Sequence, residues 1–546
     1  MIQVATAPKR MPAILAQMKA DYVLSRLWAH DHTIWQEDPT EITNRLGWLH
    51  LPETMPKRLD EIDRFVANVR ADGIRDVLLL GMGGSSLAPE TFSITFGPAE
   101  GCPRLHVLDS THPERVLELG ALVEFQRTLI LVATKSGTTT ETLSFFRYFH
   151  REVADAVGAA AAGDHFAAIT DPGSPLIEIA GRHRFRKVFE SDPDLGGRYA
   201  ALSHFGLVPA ALLGVDVREL LVRSQTISRA CTGEENLEEN PAAQLGVFLG
   251  AAALEGHDKA TLILSEEISD FGSWVEQLIA ESTGKDGVGI LPIVGEPIGP
   301  PAAYGADRLF IHLRVAGDGS QDGVVAALAE AGHPVARIDI SDPLALGGQF
   351  FLWEMATAIV GHVLKINPFD QPNVEAAKSV AREMVKAYEQ TGTLPLAQTN
   401  ELTADAVRRF LDAGVDGDYV GMQAYLPPSR ELADDLRAIA AAIRNRWKLA
   451  TTVGFGPRYL HSTGQLHKGD RGNGLFIQFV ADLECDVPIP SEESDRPSTL
   501  TFGALIAAQG EGDRRALLEA GRRVIAFQLD RERMLEQLRS LAVDLS

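Results

Sequence analysis

The sequence predicts an α/β protein built on doubly wound parallel sheets. Three observations carry this expectation. Short runs that are apolar throughout recur along the chain, as strands covered on both faces require. Helical patterns separate them, as parallel crossovers require. Several runs end in turns rich in glycine or hydroxyl residues, where ligands of such sheets bind.

Residues 1–70 read as a helical segment. Its first 28 residues form an amphipathic helical pattern rather than a signal peptide, and Pro52 and Pro56 mark a break between helices. A first α/β unit is expected over 71–215, with strands at 76–80, 105–108, 128–133, 166–170 and 187–189. A second is expected over 216–390, with strands at 260–264, 308–313 and 335–340. It includes a mostly helical stretch over 217–255 and a helix through 350–359. Thr391-Gly-Thr-Leu-Pro reads as a linker. A C-terminal α/β section follows over 391–546, with strands near 418–426, 474–480 and 523–527 and helices at 429–447 and 511–521.

Composition narrows the class. A chain of 546 residues has a prior of three or four domains, at about 150 residues each. Hydrophobic residues at 45% and charged residues at 23% are ordinary for a globular protein. A net charge of -23 argues against a nonspecific nucleic-acid binder, yet leaves room for a local basic pocket. The three cysteines, Cys102, Cys231 and Cys485, form no CxxC pair. Neither a disulfide framework nor a zinc ribbon is expected, and a reducing cytoplasm fits best. No run approaches about 18 apolar residues, so no membrane span is expected. The stretch 200–215 comes nearest, interrupted by Ser203 and His204.

The richest chemistry lies at 134–142, Thr-Lys-Ser-Gly-Thr-Thr-Thr-Glu-Thr, directly after an apolar run. Six hydroxyl side chains and a lysine at a strand-to-helix turn suit a phosphate monoester. Backbone N–H groups and the helix dipole attract the anion, hydroxyls donate to it, and Lys135 adds charge. An ordinary hydroxyl-rich helix cap is the competing reading. Gly81-Met-Gly-Gly-Ser-Ser86 is a second such turn. It has Ser86 where a dinucleotide fingerprint wants a third glycine, so a phosphosugar fits better than NAD.

Further along, Gly196-Gly197-Arg198 either gives a guanidinium room to reach a ligand or sets a surface arginine on a turn. Glu281-Ser-Thr-Gly-Lys-Asp places a carboxylate at a helix end, where it serves either as a general base or as a solvated cap. Phe369-Asp-Gln-Pro-Asn-Val-Glu-Ala-Ala-Lys378 begins a helix near Pro372. His461 and His467 are six apart, which is not the spacing of a helical metal site, and no metal or cofactor is expected.

Taken in this order, GGRY, ESTGKDG and FDQPxVExxK resemble the motifs of the glucose-6-phosphate isomerase family. The resemblance is closest to the isomerase half of bacterial transaldolase/glucose-6-phosphate isomerase fusions. It implies two sugar-isomerase (SIS) α/β/α sandwiches and reversible conversion of glucose 6-phosphate to fructose 6-phosphate, in glycolysis and gluconeogenesis, without metal or nucleotide. It further implies that Gly84, Ser85, Thr134, Lys135, Ser136 and Thr139 hold the phosphate. Glu281 would shuttle the proton between C2 and C1, and Arg198 would stabilise the enediolate. Lys378 and Gln371 would lie at the ring-oxygen side.

Two departures stand out. Leu460-His-Ser-Thr-Gly-Gln465 resembles the family's histidine motif but follows Lys378, so His461 is expected to reach the site from the C-terminal section in cis. The chain is then a monomer or a homodimer. Asn373 also stands where glycine or serine is usual. No transaldolase barrel of about 250 residues fits beside these sections, so isomerase activity alone is expected. Competing readings are isomerisation of mannose 6-phosphate, a non-catalytic phosphosugar sensor and an NAD-dependent enzyme.

Overall fold

The computed structural model describes residues 2–491 and 500–546, the side chains of 374–378 and 389 excepted. They form three five-stranded sheets. The first runs in the order Arg104–Leu108, Asp76–Leu80, Thr128–Ala133, Phe166–Thr170, Lys187–Glu190, parallel throughout. Asp76–Leu80 and Thr128–Ala133 are buried at every position, which explains their unbroken apolar character. The strand order reverses between these two, and the turns after them therefore flank a crevice.

The second sheet runs Ile2–Thr6, Val335–Ile340, Arg308–Val315, Lys259–Leu264, Leu291–Ile293. The third runs Asn400–Glu401, Arg523–Leu529, Gly474–Ala481, Tyr419–Tyr425, Ala450–Phe455 and is parallel. Without its two-residue edge strand, the third sheet repeats the order of the first four strands of the first sheet. Its core is separate from the large cluster shared by the N-terminal helices, the first sheet and the second.

The N-terminus departs from expectation. Ile2–Thr6 is a strand, antiparallel to Val335–Ile340, and the helix begins only at Met11. Alternating burial of Ile2 and Val4 is the period-two pattern of an edge strand, hidden by the helical pattern that follows. Leu291–Ile293 and Ala450–Phe455 also lie outside the expected strands; the first is only three residues long and contains Pro292. The last long helix but one starts at Phe502, nine residues earlier than the expected 511. The most apolar long helix is not at 200–215 but at Pro343–Leu364, and 89% of its apolar window is buried in the protein.

Candidate active site

The crevice beside the first sheet is built from two turns. Thr139 precedes the 18-residue helix Thr140–Val157 and makes no side-chain capping bond. Its hydroxyl meets that of Thr134 at 2.8 Å. The first N–H groups of that helix are therefore not capped by Thr139, as suits an incoming anion. Ser85 and Ser86 sit buried in the neighbouring turn. Ser136 folds back on Thr138, its Oγ accepting from the Thr138 N–H at 3.2 Å. Lys135 is committed elsewhere: its ammonium donates to Asp171 and to the Pro193 carbonyl at 3.1 Å.

The Gly83–Ser85 turn packs directly on Gly197–Tyr199. At Gly84 a Cβ would lie 2.0 Å from the Gly197 carbonyl oxygen, so only glycine allows this approach. Arg198 is 1% exposed. Its Nε donates to Ser282 Oγ at 2.7 Å, and Nη2 donates to the Pro368 and Asp370 carbonyls at 2.7 and 3.2 Å. Its Nη1 lies 3.5 Å from Glu281 Oε2. Glu281 is buried on the last turn of the helix Phe271–Thr283, and Gln277 one turn back donates to the same oxygen at 3.3 Å.

The third section closes the site. Gln277 Nε2 also donates to the His461 carbonyl at 2.8 Å. His461 Nε2 lies 3.2 Å from Glu141 Oε1, two residues past Thr139, and Gln509 donates to the same oxygen at 2.7 Å. Gln465 Nε2 donates to the Gly284 carbonyl at 2.9 Å and to Asn373 Oδ1 at 2.8 Å, and its Oε1 accepts from the Asn373 N–H. One glutamine thus ties the turn after Glu281 to the segment after Gln371, which is half-buried beside Asp370. A Cβ on Gly284 would meet Leu466 Cα at 2.3 Å, so that glycine lets the helix Gly464–Gly469 dock.

The helix after the FDQP motif starts at Val374, which puts Lys378 in its second turn; the Lys378 side chain lies outside the described residues. Glu141, Gln277 and Lys285 are not among the residues the sequence marks. Lys285 is buried, and its Nζ donates to both the carbonyl and the Oδ1 of Asp370 at 2.7 Å. Burial and the neighbouring Arg198 push its pKa down to about 8 against the opposing pull of Asp370. In sequence Glu141 reads as a favourable first-turn carboxylate, Lys285 lies inside the ESTGKDG motif without a role assigned to it, and Gln277 carries no signal beyond its nearness to Glu281.

Parallel sheets of this order, meeting over a buried carboxylate, a guanidinium and a hydroxyl-bearing turn, define a protein of the sugar-isomerase class. Residues 57–290 match the phosphoglucose isomerase family model. A glucose-6-phosphate isomerase from Thermosynechococcus vestitus is 31% identical over 369 residues, spanning 58% of this chain and 68% of that protein. Another from Rubrobacter xylanophilus is 29% identical over 422 residues, 67% of this chain and 93% of that one. Among solved structures, a hypothetical protein from Thermus thermophilus aligns with a TM-score of 0.59 at 26% identity, covering 70% of this chain and 99% of that chain. A glucose-6-phosphate isomerase from Chlamydia trachomatis shares the fold at a TM-score of 0.60 and 18% identity, over 75% and 91% of the two chains. This chain belongs to the glucose-6-phosphate isomerase family.

Proposed function

We propose that this chain interconverts glucose 6-phosphate and fructose 6-phosphate through an enediolate. The phosphate sits at the start of the Thr140–Val157 helix, held by Thr134, Thr139, Ser85 and backbone N–H groups, with Ser136 at the outer edge. Lys135 supports this cradle indirectly, by holding Asp171 and the Pro193 carbonyl together beside it. With the phosphate anchored there, the sugar extends towards Glu281.

His461, paired with Glu141, gives a proton to the ring oxygen while the C1 hydroxyl loses its own to solvent, and the C1–O5 bond opens to the free aldehyde. Gln371 and, by its place in the motif, Lys378 are assigned to the same end of the sugar. Glu281 then takes the proton from C2, and electron density moves onto the C1 oxygen. Arg198 stabilises that negative charge at no reorganisation cost, because four fixed acceptors already hold it in place. A proton passes from the C2 hydroxyl to the C1 oxygen, and Glu281 returns its proton to C1, giving the ketose with its carbonyl at C2. One carboxylate serves both carbons because they are adjacent. All these groups come from one chain, so the reading needs no second copy.

The observation that carries the reading is the 3.5 Å approach of Arg198 to Glu281 over a turn shared with the phosphate cradle. A coupled assay for fructose 6-phosphate conversion tests it. Glu281→Gln is expected to lose about a thousandfold in kcat with little change in KM. Full activity in that variant would remove Glu281 as the base.

A further inference from the structure

His461 sits on a short turn, Arg458–His461, that the third section inserts between the first two. Its placement depends on what holds that turn. Ser462 Oγ donates to Glu276 Oε1 at 3.1 Å, on the helix that carries Glu281. On the other side, the half-buried Arg458 reaches the first section. Its Nη2 pairs with Glu90 and its Nη1 lies 2.9 Å from Asp109 Oδ2.

Both of those carboxylates are fastened to the phosphate-side turn. Asp109 accepts from Ser86 Oγ at 3.3 Å, and Glu90 lies on the helix Leu87–Phe96, its N–H bonded to the Ser86 carbonyl at 2.9 Å. Asp270, held by Thr91 Oγ1 at 3.1 Å, adds a further carboxylate field around the same guanidinium. One cation therefore joins the histidine turn to the turn that carries Ser85. A planar fork can answer two carboxylates at once, which an ammonium cannot do with fixed geometry.

We propose that Arg458 is a positioning residue for ring opening: it sets the distance between His461 and the anchored sugar by locking the 458–461 turn onto Glu90 and Asp109. This rests on the assignment of ring opening to His461. The consequence is selective, because a shift of the histidine affects the cyclic sugar, whereas an open-chain aldehyde needs only Glu281 and Arg198.

The test compares glucose 6-phosphate with an aldose phosphate whose ring-closing hydroxyls have been removed. Arg458→Lys, Arg458→Ala and Glu90→Gln are assayed beside His461→Ala on the full chain. Positioning predicts that all four lose about ten- to a hundredfold in kcat on the cyclic sugar, with KM nearly unchanged and the open-chain rate within about threefold of the parent. Glu90→Gln keeps the arginine, so the proposal stays testable should an Arg458 variant fold poorly. Equal losses on both substrates in the Arg458 and Glu90 variants, or no loss at all, overturn the positioning role while the His461 assignment stands. Equal losses in His461→Ala overturn the assignment itself.

Discussion

At the residue scale, the site is governed by which charges are fixed before substrate arrives. Arg198 is bonded on three sides and cannot swing away, so its charge stays fixed 3.5 Å from Glu281, where the proposed enediolate would form. Lys285 shows the cost of such packing. Two cations share the Asp370 segment, and burial with Arg198 has brought the lysine down to about 8. Loss of its proton frees Asp370 from its partner and loosens the chain of contacts leading to Gln371. The profile of kcat/KM against pH should therefore show an alkaline fall near pH 8. In Lys285→Arg the fall should move above about pH 10, because a guanidinium keeps its charge there. An unchanged alkaline limb in that variant would exclude Lys285 as its source.

At the element scale, close backbone approach does the assembling. The Gly83–Ser85 turn meets Gly197–Tyr199, and the Gly464–Gly469 helix meets the turn after Glu281. Each contact brings together groups far apart in sequence, and each is possible because one residue lacks a Cβ. Gly284→Ala would press a methyl group to 2.3 Å from Leu466 Cα, against backbone that cannot rotate away. The helix must back off, taking Gln465 and the histidine turn with it. We expect a folded protein by circular dichroism with kcat on glucose 6-phosphate reduced at least about tenfold. Normal turnover in Gly284→Ala would mean that this docking is not needed for the site.

At the scale of the whole molecule, three sections meet around a charge cluster. Glu90 and Asp109 come from the first, Asp270 and Glu276 from the second, and Arg458 from the third, with Arg115 also acting on Asp109. Burial raises Asp270 to about 6, with Glu90 adding repulsion, and raises Glu276 to about 7. Acids raised in the folded state hold protons that the unfolded chain gives up, so the stability these two carboxyls contribute is lost as pH climbs from about 4 through about 7, against the opposite trend of the buried histidines. Glu276→Gln removes one of these contributions, so the variant's thermal midpoint should gain on the parent's between about pH 5 and about pH 8. An identical slope in the variant would mean that Glu276 is already ionised across this range.

Much of the fold was legible because a parallel strand buried on both faces leaves an unmistakable apolar run. The runs at 76–80 and 128–133 coincide with their strands, and the turns after them lie at the crevice expected to hold a ligand. The first sheet's edges at Arg104–Leu108 and Lys187–Glu190 were also expected, but Ile2–Thr6 and Leu291–Ile293 were not legible, since they are short and owe their conformation to the strands they join. The same division holds for the site. Residue chemistry alone marked Thr134–Thr142, whereas Arg198 and Glu281 each kept an ordinary reading until the family motifs were taken together.

The partners that aim those groups lie outside any local pattern. Glu141 reads as a first-turn carboxylate until His461, 320 positions later, is placed against it, and Lys135, expected at the phosphate, is also held by Asp171. The class of chemistry was readable from the motifs taken together, because it depends on which functional groups are present. Only the tertiary structure decided which of them face one another, because contact across three separate sheets is set by packing and by where a missing Cβ lets two backbones touch.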